Sequence, residues 1–332
     1  MTSNRLFITG GSGYIGRNLI RHYVAKGRPV VALARSDAAK DTVRALGAEP
    51  WQGDLLSADL AEGMAGCGEL IHAAADTSHG RGTEAQISTN LDGTRNVLAA
   101  ARQAKLSRMV YVSTESVLLD GLPLVNATER HPVPRRPVGT YSRTKAAAER
   151  LALLQNTDGF AVVAVRPRMV WGRDDTTALP QLVGAASSGQ LAWIDGGQYK
   201  TSSTHIANLC AGIDLALSKG RGGEVYFLSD GEPWPFRTLV SGILAANDVV
   251  IPDKTVPRWL LRTMATVGDA LAGLTAGRIT LPITMQAFAT SAVEVTLDIS
   301  KARFELGYHP VMTIEEGLAE MRRHNQVVMA VL

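Results

Sequence analysis

Only two cysteines occur in 332 residues, Cys67 and Cys210. They stand far apart and in no metal-ligand spacing, which excludes a disulfide framework and a zinc site and leaves both as small buried hydrophobes in a reducing compartment. Charge of one sign is equally scarce. Lys and Arg total 34 against 31 Asp and Glu, a net of +3 with the basic residues scattered, so nucleic acid is not an expected partner. Long apolar runs are missing as well: the most apolar late stretch, Trp259 to Leu274, is interrupted by Arg262 and Asp269. It is too short and too charged to cross a bilayer, and no stable membrane insertion is expected. Only Met1 to Asn4 precede the first strand, which leaves no room for a signal peptide and points to a cytoplasmic protein. What remains is 45 % hydrophobic and 20 % charged, the composition of a globular chain of one or two domains.

The organising stretch is Thr9-Gly10-Gly11-Ser12-Gly13-Tyr14-Ile15-Gly16, which follows the apolar run Arg5 to Ile8 and leads into an amphipathic segment. A strand, a glycine turn and a helix in that order aim free backbone N–H groups and the positive end of a helix dipole at one point, which suits a pyrophosphate. Gly10 allows the tight turn, Gly13 lets phosphates approach, and Gly16 lets the helix lie close to its strand, with Tyr14 and Ile15 offering main-chain amides. Apolar runs of strand length then alternate with segments of helical period. Strands are expected at Pro29 to Ala34, Ala48 to Gln52, Glu69 to Ala73, Arg108 to Val112 and Ala161 to Arg166, and helices at Asp37 to Leu46, Ser57 to Ala65, Glu84 to Ala104 and Thr140 to Leu154. That rhythm predicts an α/β protein with a doubly wound parallel Rossmann sheet over residues 1–172. After Gly172 the pattern turns irregular, and residues 173–332 are expected to form a smaller, partly interleaved substrate-binding lobe. Its amphipathic segments Trp259 to Leu274 and Pro282 to Thr290 either wall an apolar pocket or pack on the lobe's own core.

Chemistry-bearing residues fall at the ends of these strands. The second strand ends in Ala34-Arg35-Ser36. A guanidinium beside a hydroxyl suits a 2′-phosphate, so NADP(H) is favoured over NAD(H). Asp54 and Leu55 end the third strand, where the carboxylate is placed to accept from an adenine amino group. The small residues Ala73, Ala74 and Ala75 end the fourth, where backbone must run close to a flat ligand; His72 reads as a satisfied strand histidine. Tyr141 and Lys145 lie four apart at the head of a helix, on one face. A phenol is a poor base at neutral pH, but a neighbouring ammonium favours its phenolate; lowering it by about three units needs roughly 4 kcal/mol, within reach of one close cation plus a positive nicotinamide ring in a sheltered site. Thr114, with Ser113 behind it in preference, supplies a hydroxyl at the end of the fifth strand, and Asn90 is placed to hold a water or backbone group that feeds protons to Lys145.

As a set these residues resemble the extended short-chain dehydrogenase/reductase family: Thr-Gly-x-x-Gly-x-x-Gly at Thr9 to Gly16, Asp54, Asn90, Thr114, Tyr141 with Lys145, and Arg166-Pro167 before Val170-Trp171-Gly172. The likeness runs to Asp298 to Tyr308, Pro310 and Glu315 to Leu318. Arg166 to Gly172, Ser229 to Pro233 and the apolar 257–290 region look like the 3β-hydroxysteroid dehydrogenase branch, which includes reductases of long-chain 2-alkyl-3-oxoalkanoates. Many nucleotide-sugar epimerases carry Asn where Met169 stands, and a Val-Tyr-Gly often follows the hydroxyl where this chain has Val117-Leu118-Leu119. The resemblance implies hydride exchange between NADP(H) and a ketone or secondary alcohol on an apolar substrate, with Tyr141 as acid/base, Thr114 polarising the carbonyl and Pro167 placing the carboxamide. It also implies a homodimer through the Glu84 to Ala104 and Thr140 to Leu154 helices, and no metal. Two alternatives stay open: a nucleotide-sugar epimerase or dehydratase, and a nucleotide-sensing regulator on the same scaffold.

Overall fold

The computed structural model describes residues 4–57, 59–78, 82–275, 278, 281 and 283–331. Ala58, inside one expected helix, and Pro282, at the head of the second amphipathic segment, lie outside them. Seven parallel strands make the main sheet, in the order Val225–Leu228, β7 (Ala161–Pro167), β5 (Arg108–Val112), β4 (Glu69–His72), β1 (Leu6–Thr9), β2 (Val30–Ala34), β3 (Glu49–Gln52). From β1 the chain winds outward through β2 and β3, then returns to add β4 on the other side of β1, so the order reverses between β1 and β4. That reversal opens a crevice at the carboxyl ends of the two strands, where ligands of such sheets bind.

The strands are apolar on both faces because both faces are covered. Leu6 and Ile8 join one core with Ala32, Val110, Val163 and Val165, while Phe7 joins the other with Val31, Met109, Tyr111, Val162 and Ala164. Full burial of side chains such as Leu6 and Phe7 contributes about 1.5–3 kcal/mol apiece. The covering helices are α1 (Tyr14–Ala25), α2 (Asp37–Ala45), α3 (Leu60–Gly63), α4 (Glu84–Ile87), α5 (Gly93–Gln103) and α6 (Gly139–Leu153). Two expected helices differ. Among the described residues of the Ser57 to Ala65 segment only Leu60–Gly63 is α-helical, because Asp54 and Ser57 close a turn of their own: Ser57 N–H donates to the Asp54 carbonyl at 3.0 Å, and Asp54 N–H to Ser57 Oγ at 2.8 Å. The Glu84 to Ala104 helix is interrupted by a π-turn at Ser88–Asp92, which holds Asn90; such insertions gather at functional sites.

Val225–Leu228, which composition did not single out as a strand, pairs with β7, and the helix Ile206–Lys219 packs on the same sheet. A four-stranded sheet orders Trp234–Pro235, Lys200–Thr201, Val295–Leu297 and β6 (Leu124–Ala127). Thus a strand from the first half of the chain is built into the smaller layer, and one from the second half into the larger. The helix Arg258–Leu274 buries Leu261, Ala265 and Gly268 and leaves Trp259, Val267 and Leu274 exposed; Met285–Ser291 buries Gln286, Phe288 and Ala289 against α6. No described helix is long and apolar enough to cross a membrane.

Candidate active site

The loop after β1 is built by its glycines. Gly13 N–H donates to the Gly10 carbonyl at 3.0 Å, and Gly10 takes φ 73°, the left-handed region. A Cβ on Gly10 would stand 2.8 Å from the Ala74 amide nitrogen, and one on Gly16 would stand 2.0 Å from the Gly10 carbonyl oxygen. The loop is therefore wedged between α1 and the end of β4, which brings Ala73, Ala74 and Ala75 beside it. Gly13 caps α1 with no side chain, so the first-turn amides of Tyr14, Ile15 and Gly16 face the crevice uncapped. This is a cradle that fits a pyrophosphate. Tyr14 contributes only main chain, since its ring is buried in the core.

Neighbouring side chains are held in series. Ala74 N–H donates to Thr9 Oγ1 at 3.2 Å, Thr9 Oγ1 meets His72 Nδ1 at 2.6 Å, and His72 Nε2 meets Thr94 Oγ1 at 3.0 Å. Burial, with the Lys145 ammonium adding, pushes His72 down to about 3, so it is a neutral, satisfied histidine. At the end of β2, the Arg35 side chain is 83 % exposed, with Nη1 3.9 Å from Asp54 Oδ2. At that separation the pair holds the guanidinium loosely and leaves it free to meet an anion. Ser36 Oγ caps α2 by accepting from Ala39 N–H at 3.2 Å, which keeps its own proton available. Leu55 is buried against Gly93.

On the other side of the crevice, Thr114 caps the short 3₁₀ turn Glu115–Leu118 at the end of β5. Its Oγ1 accepts from Ser116 N–H at 3.1 Å and donates to Glu115 Oε2 at 2.9 Å. Tyr141 and Lys145 lie on one face of α6, both buried. Lys145 Nζ donates to the Val112 carbonyl at 2.7 Å and stands 4.2 Å from the centre of the Tyr111 ring. Burial pushes Lys145 down to about 7, with the Glu149 carboxylate opposing. Burial also raises the Tyr141 phenol above its ordinary value; Glu115 adds to this and the Thr114 hydrogen bond opposes it. The expectation that Lys145 lowers the phenol is not met by the chain's own groups, because desolvation acts on both and the ammonium is committed to Val112. Asn90 is likewise spent elsewhere. Its Nδ2 donates to the Asp76 carbonyl at 3.0 Å and to Thr144 Oγ1 at 3.1 Å, while Oδ1 accepts from Asp76 N–H at 2.7 Å. It thus ties the loop after β4 to α6 beside Lys145, and the backbone group it holds is Asp76. Pro167 ends β7 buried, opposite Leu228. Ser113 Oγ is buried with no partner among the described residues.

Three site residues went unassigned in the sequence. Glu115 and Arg168 form an ion pair of 2.6 Å with side chains 3 % and 1 % exposed. Gln286 Oε1 accepts from Ser142 Oγ at 3.0 Å and faces Ser142 N–H at 3.4 Å. Glu115 and Arg168 stand inside recognisable motifs, but nothing local pairs them, and Gln286 carries no signal at all. Met169, where related epimerases carry Asn, sits at φ 41° and packs with Leu182 on apolar clusters around Trp171 and Trp193. Among the described residues no cluster of three or more His, Cys, Asp or Glu could hold a metal.

A glycine cradle at the switch point, facing a threonine, a tyrosine and a lysine, defines a nicotinamide-dependent dehydrogenase/reductase of the extended short-chain class acting on CH–OH groups. The model of the 3-beta hydroxysteroid dehydrogenase/isomerase family matches residues 7–258, and the chain belongs to that family. It is similar, at 47 % identity over 96 % of both chains, to a 4-hydroxy-2-methyl-3-oxo-4-farnesyl-3,4-dihydroquinoline-1-oxide ketoreductase of Stigmatella aurantiaca. It is 31 % identical to a 2-alkyl-3-oxoalkanoate reductase of Stenotrophomonas maltophilia, over 96 % of this chain and 98 % of that one. Among solved structures it resembles that of gox2253, with TM-score 0.77 and 27 % identity over 97 % of this chain and 99 % of the other. It also resembles a dTDP-glucose 4,6-dehydratase of Streptomyces venezuelae with NAD bound, with TM-score 0.76 and 25 % identity over 98 % of each.

Proposed function

We propose that the protein is an NADP(H)-dependent ketoreductase for a largely apolar substrate whose ketone sits on a hydrophobic ring or chain, in the manner of a steroid or β-keto acid derivative. The observation that carries this reading is the burial of two hydroxyls, Thr114 and Tyr141, together with Lys145 at the carboxyl edge of the sheet and across the crevice from the glycine cradle. Exposed Arg35 beside Ser36 supports the 2′-phosphate, and the substrates that the two relatives are named for, both 3-oxo compounds with apolar substituents, support the substrate class. The cofactor supplies a hydride for the carbonyl carbon. Tyr141, protonated in its buried setting, gives its proton to the carbonyl oxygen in reduction and takes it back in oxidation. Thr114 turns its hydroxyl from Glu115 to that oxygen and stabilises the charge that develops there. Lys145 holds the nicotinamide ribose, and its ammonium favours the phenolate left behind. Asn90 keeps the loop after β4 against α6, and Pro167 places the carboxamide.

The test is NADPH oxidation, with NADH alongside, against steroid ketones, β-keto esters and alkylated cyclic ketones, comparing wild type with Tyr141→Phe. Turnover is expected to fall at least ~100-fold in the variant while NADPH binding stays nearly intact. Activity within a few-fold of wild type refutes the role of Tyr141. Tightly retained dinucleotide with no net NADPH consumption points to an epimerase instead.

A further inference from the structure

Both proposed catalytic hydroxyls are tied, by separate routes, to the same short helix of the smaller layer. On one route, Thr114 Oγ1 donates to Glu115 Oε2 at 2.9 Å, Arg168 Nη1 donates to Glu115 Oε1 at 2.6 Å, and Arg168 Nη2 donates to the Thr290 carbonyl at 2.9 Å. On the other, Gln286 Oε1 accepts from Ser142 Oγ at 3.0 Å, and Ser142 follows Tyr141. Gln286 and Thr290 are four apart on Met285–Ser291 and are themselves joined, Thr290 Oγ1 donating to the Gln286 carbonyl at 2.8 Å. The two routes therefore form one chain of contacts running from Thr114 through this helix to the residue beside Tyr141.

Its members are buried where a merely surface role is excluded. Glu115 is 2 % exposed, Arg168 1 % and Gln286 1 %. Two charges taken so far out of water are costly unless every donor and acceptor is used, and Arg168 spends its third nitrogen, Nε, on Thr201 Oγ1 at 3.1 Å. Gln286 also lies tight against the head of α6: a Cβ on Gly139 would stand 2.2 Å from Gln286 Oε1. Gly139 takes φ 68°, so the close approach of Gln286 and the turn into α6 both require glycine there.

We propose that Glu115, Arg168 and Gln286 are positioning residues for the reductase reaction, fixing the separation of the Thr114 and Tyr141 hydroxyls by referring both to the helix Met285–Ser291. The inference rests on the roles proposed above for those two hydroxyls. It predicts one device, broken once by any break in this chain of contacts, rather than three independent supports.

The experiment is a double-mutant cycle of Glu115→Gln and Gln286→Met, with Tyr141→Phe as reference, on enzyme saturated with NADPH and a reducible ketone. Each single variant is expected to lower kcat ~10- to 100-fold, the scale of an ångström-level misplacement, with the Kd of NADPH within about 2-fold of wild type. The double variant is expected to lose no more than about 3-fold beyond the worse single. Gln286→Glu, which keeps an acceptor for Ser142, is expected to recover most of the kcat lost in Gln286→Met. Losses that multiply, losses confined to KM, or kcat within 2-fold of wild type in both singles overturn the proposal. Should Glu115→Gln not fold, the Gln286→Met and Gln286→Glu pair decides: a kcat loss rescued by Glu supports it and an unrescued or absent loss overturns it. If Tyr141→Phe is inactive while the Glu115 and Gln286 variants are normal, only this inference fails; if Tyr141→Phe is active, the reading beneath it fails.

Discussion

Replacing Gly13 with alanine separates what the glycine loop does for the fold from what it does for the dinucleotide. Gly13 has φ −76° and ψ 172°, extended backbone that any residue adopts. A Cβ there meets one atom within 4 Å, the Gly10 carbonyl oxygen at 3.3 Å, a tight contact that a shift of a few tenths of an ångström relieves. Folding is therefore expected to be nearly untouched, with the melting temperature of the free protein within ~2 °C of wild type. The open side of that methyl faces the uncapped amides of α1, where the pyrophosphate must come to hydrogen-bond distance. Charge-assisted N–H···O bonds contribute about 1.5–3 kcal/mol each, so losing one should weaken NADPH binding roughly 10- to 150-fold. Gly16→Ala is the contrast. Its Cβ would stand 2.0 Å from the Gly10 carbonyl oxygen and 2.7 Å from the carbonyl carbon, so α1 and the loop must part. Stability is expected to fall by ~1–3 kcal/mol together with affinity. Calorimetric titration with NADPH and thermal unfolding without it measure both quantities. If Gly13→Ala binds within 3-fold of wild type, or melts as low as Gly16→Ala, the assignment of separate roles to the two glycines is refuted.

Arg35→Asp should move the kcat/KM preference from NADPH towards NADH, since it sets a carboxylate where the 2′-phosphate would lie; an unchanged ratio would remove the argument for NADP(H). Burial holds Lys145 at about 7, so the free enzyme carries that ammonium below this pH and sheds it above. Accordingly kcat/KM for NADPH is expected to fall as pH rises through about 7, and Lys145→Arg, cationic throughout, should abolish that limb. The same shift has a sign for stability. An unfolded lysine stays protonated to about 10.4, so the native state binds fewer protons between about 7 and 10.4 and the contribution of Lys145 to stability grows with pH across that window. Lys145→Met should flatten the rise seen in urea unfolding, and parallel pH profiles in the two proteins would contradict the buried charge. Asn90→Leu leaves the Asp76 main chain unpaired. It is expected to destabilise by about 1–3 kcal/mol while also lowering turnover, and a variant as stable as wild type would show that water replaces the amide.

The parts of the site that were legible in the sequence are those whose chemistry is local. Gly10, Gly13 and Gly16 are specified by their own turn, and Tyr141 with Lys145 by one turn of one helix, so their spacing carries their geometry. The alternation of strands and helices gave the parallel sheet for the same reason, since each βαβ unit is a contiguous stretch. Val225–Leu228 escaped because four residues without a helix in period beside them have no register until β7 is there to pair with. The helix expected at Ser57 to Ala65 is present at Leu60–Gly63 but shorter: a turn closed by Asp54 and Ser57 competes locally with helix at its start.

Electrostatics were the least legible, because they depend on burial, which no window of sequence contains. Spacing alone made Lys145 a neighbour that lowers the Tyr141 phenol; in the fold both groups are desolvated, the ammonium is committed to the Val112 carbonyl, and Glu115 stands nearer the phenol in influence than Lys145 does. The partners that decide this are distant in the chain, 53 residues between Glu115 and Arg168 and 144 between Ser142 and Gln286. Each of them taken alone reads as an ordinary polar residue. A buried polar side chain acquires its meaning from what satisfies it, and for these pairs the satisfying group lies far away along the chain. It follows that a sequence shows the groups that touch substrate and cofactor more readily than those that hold them in place.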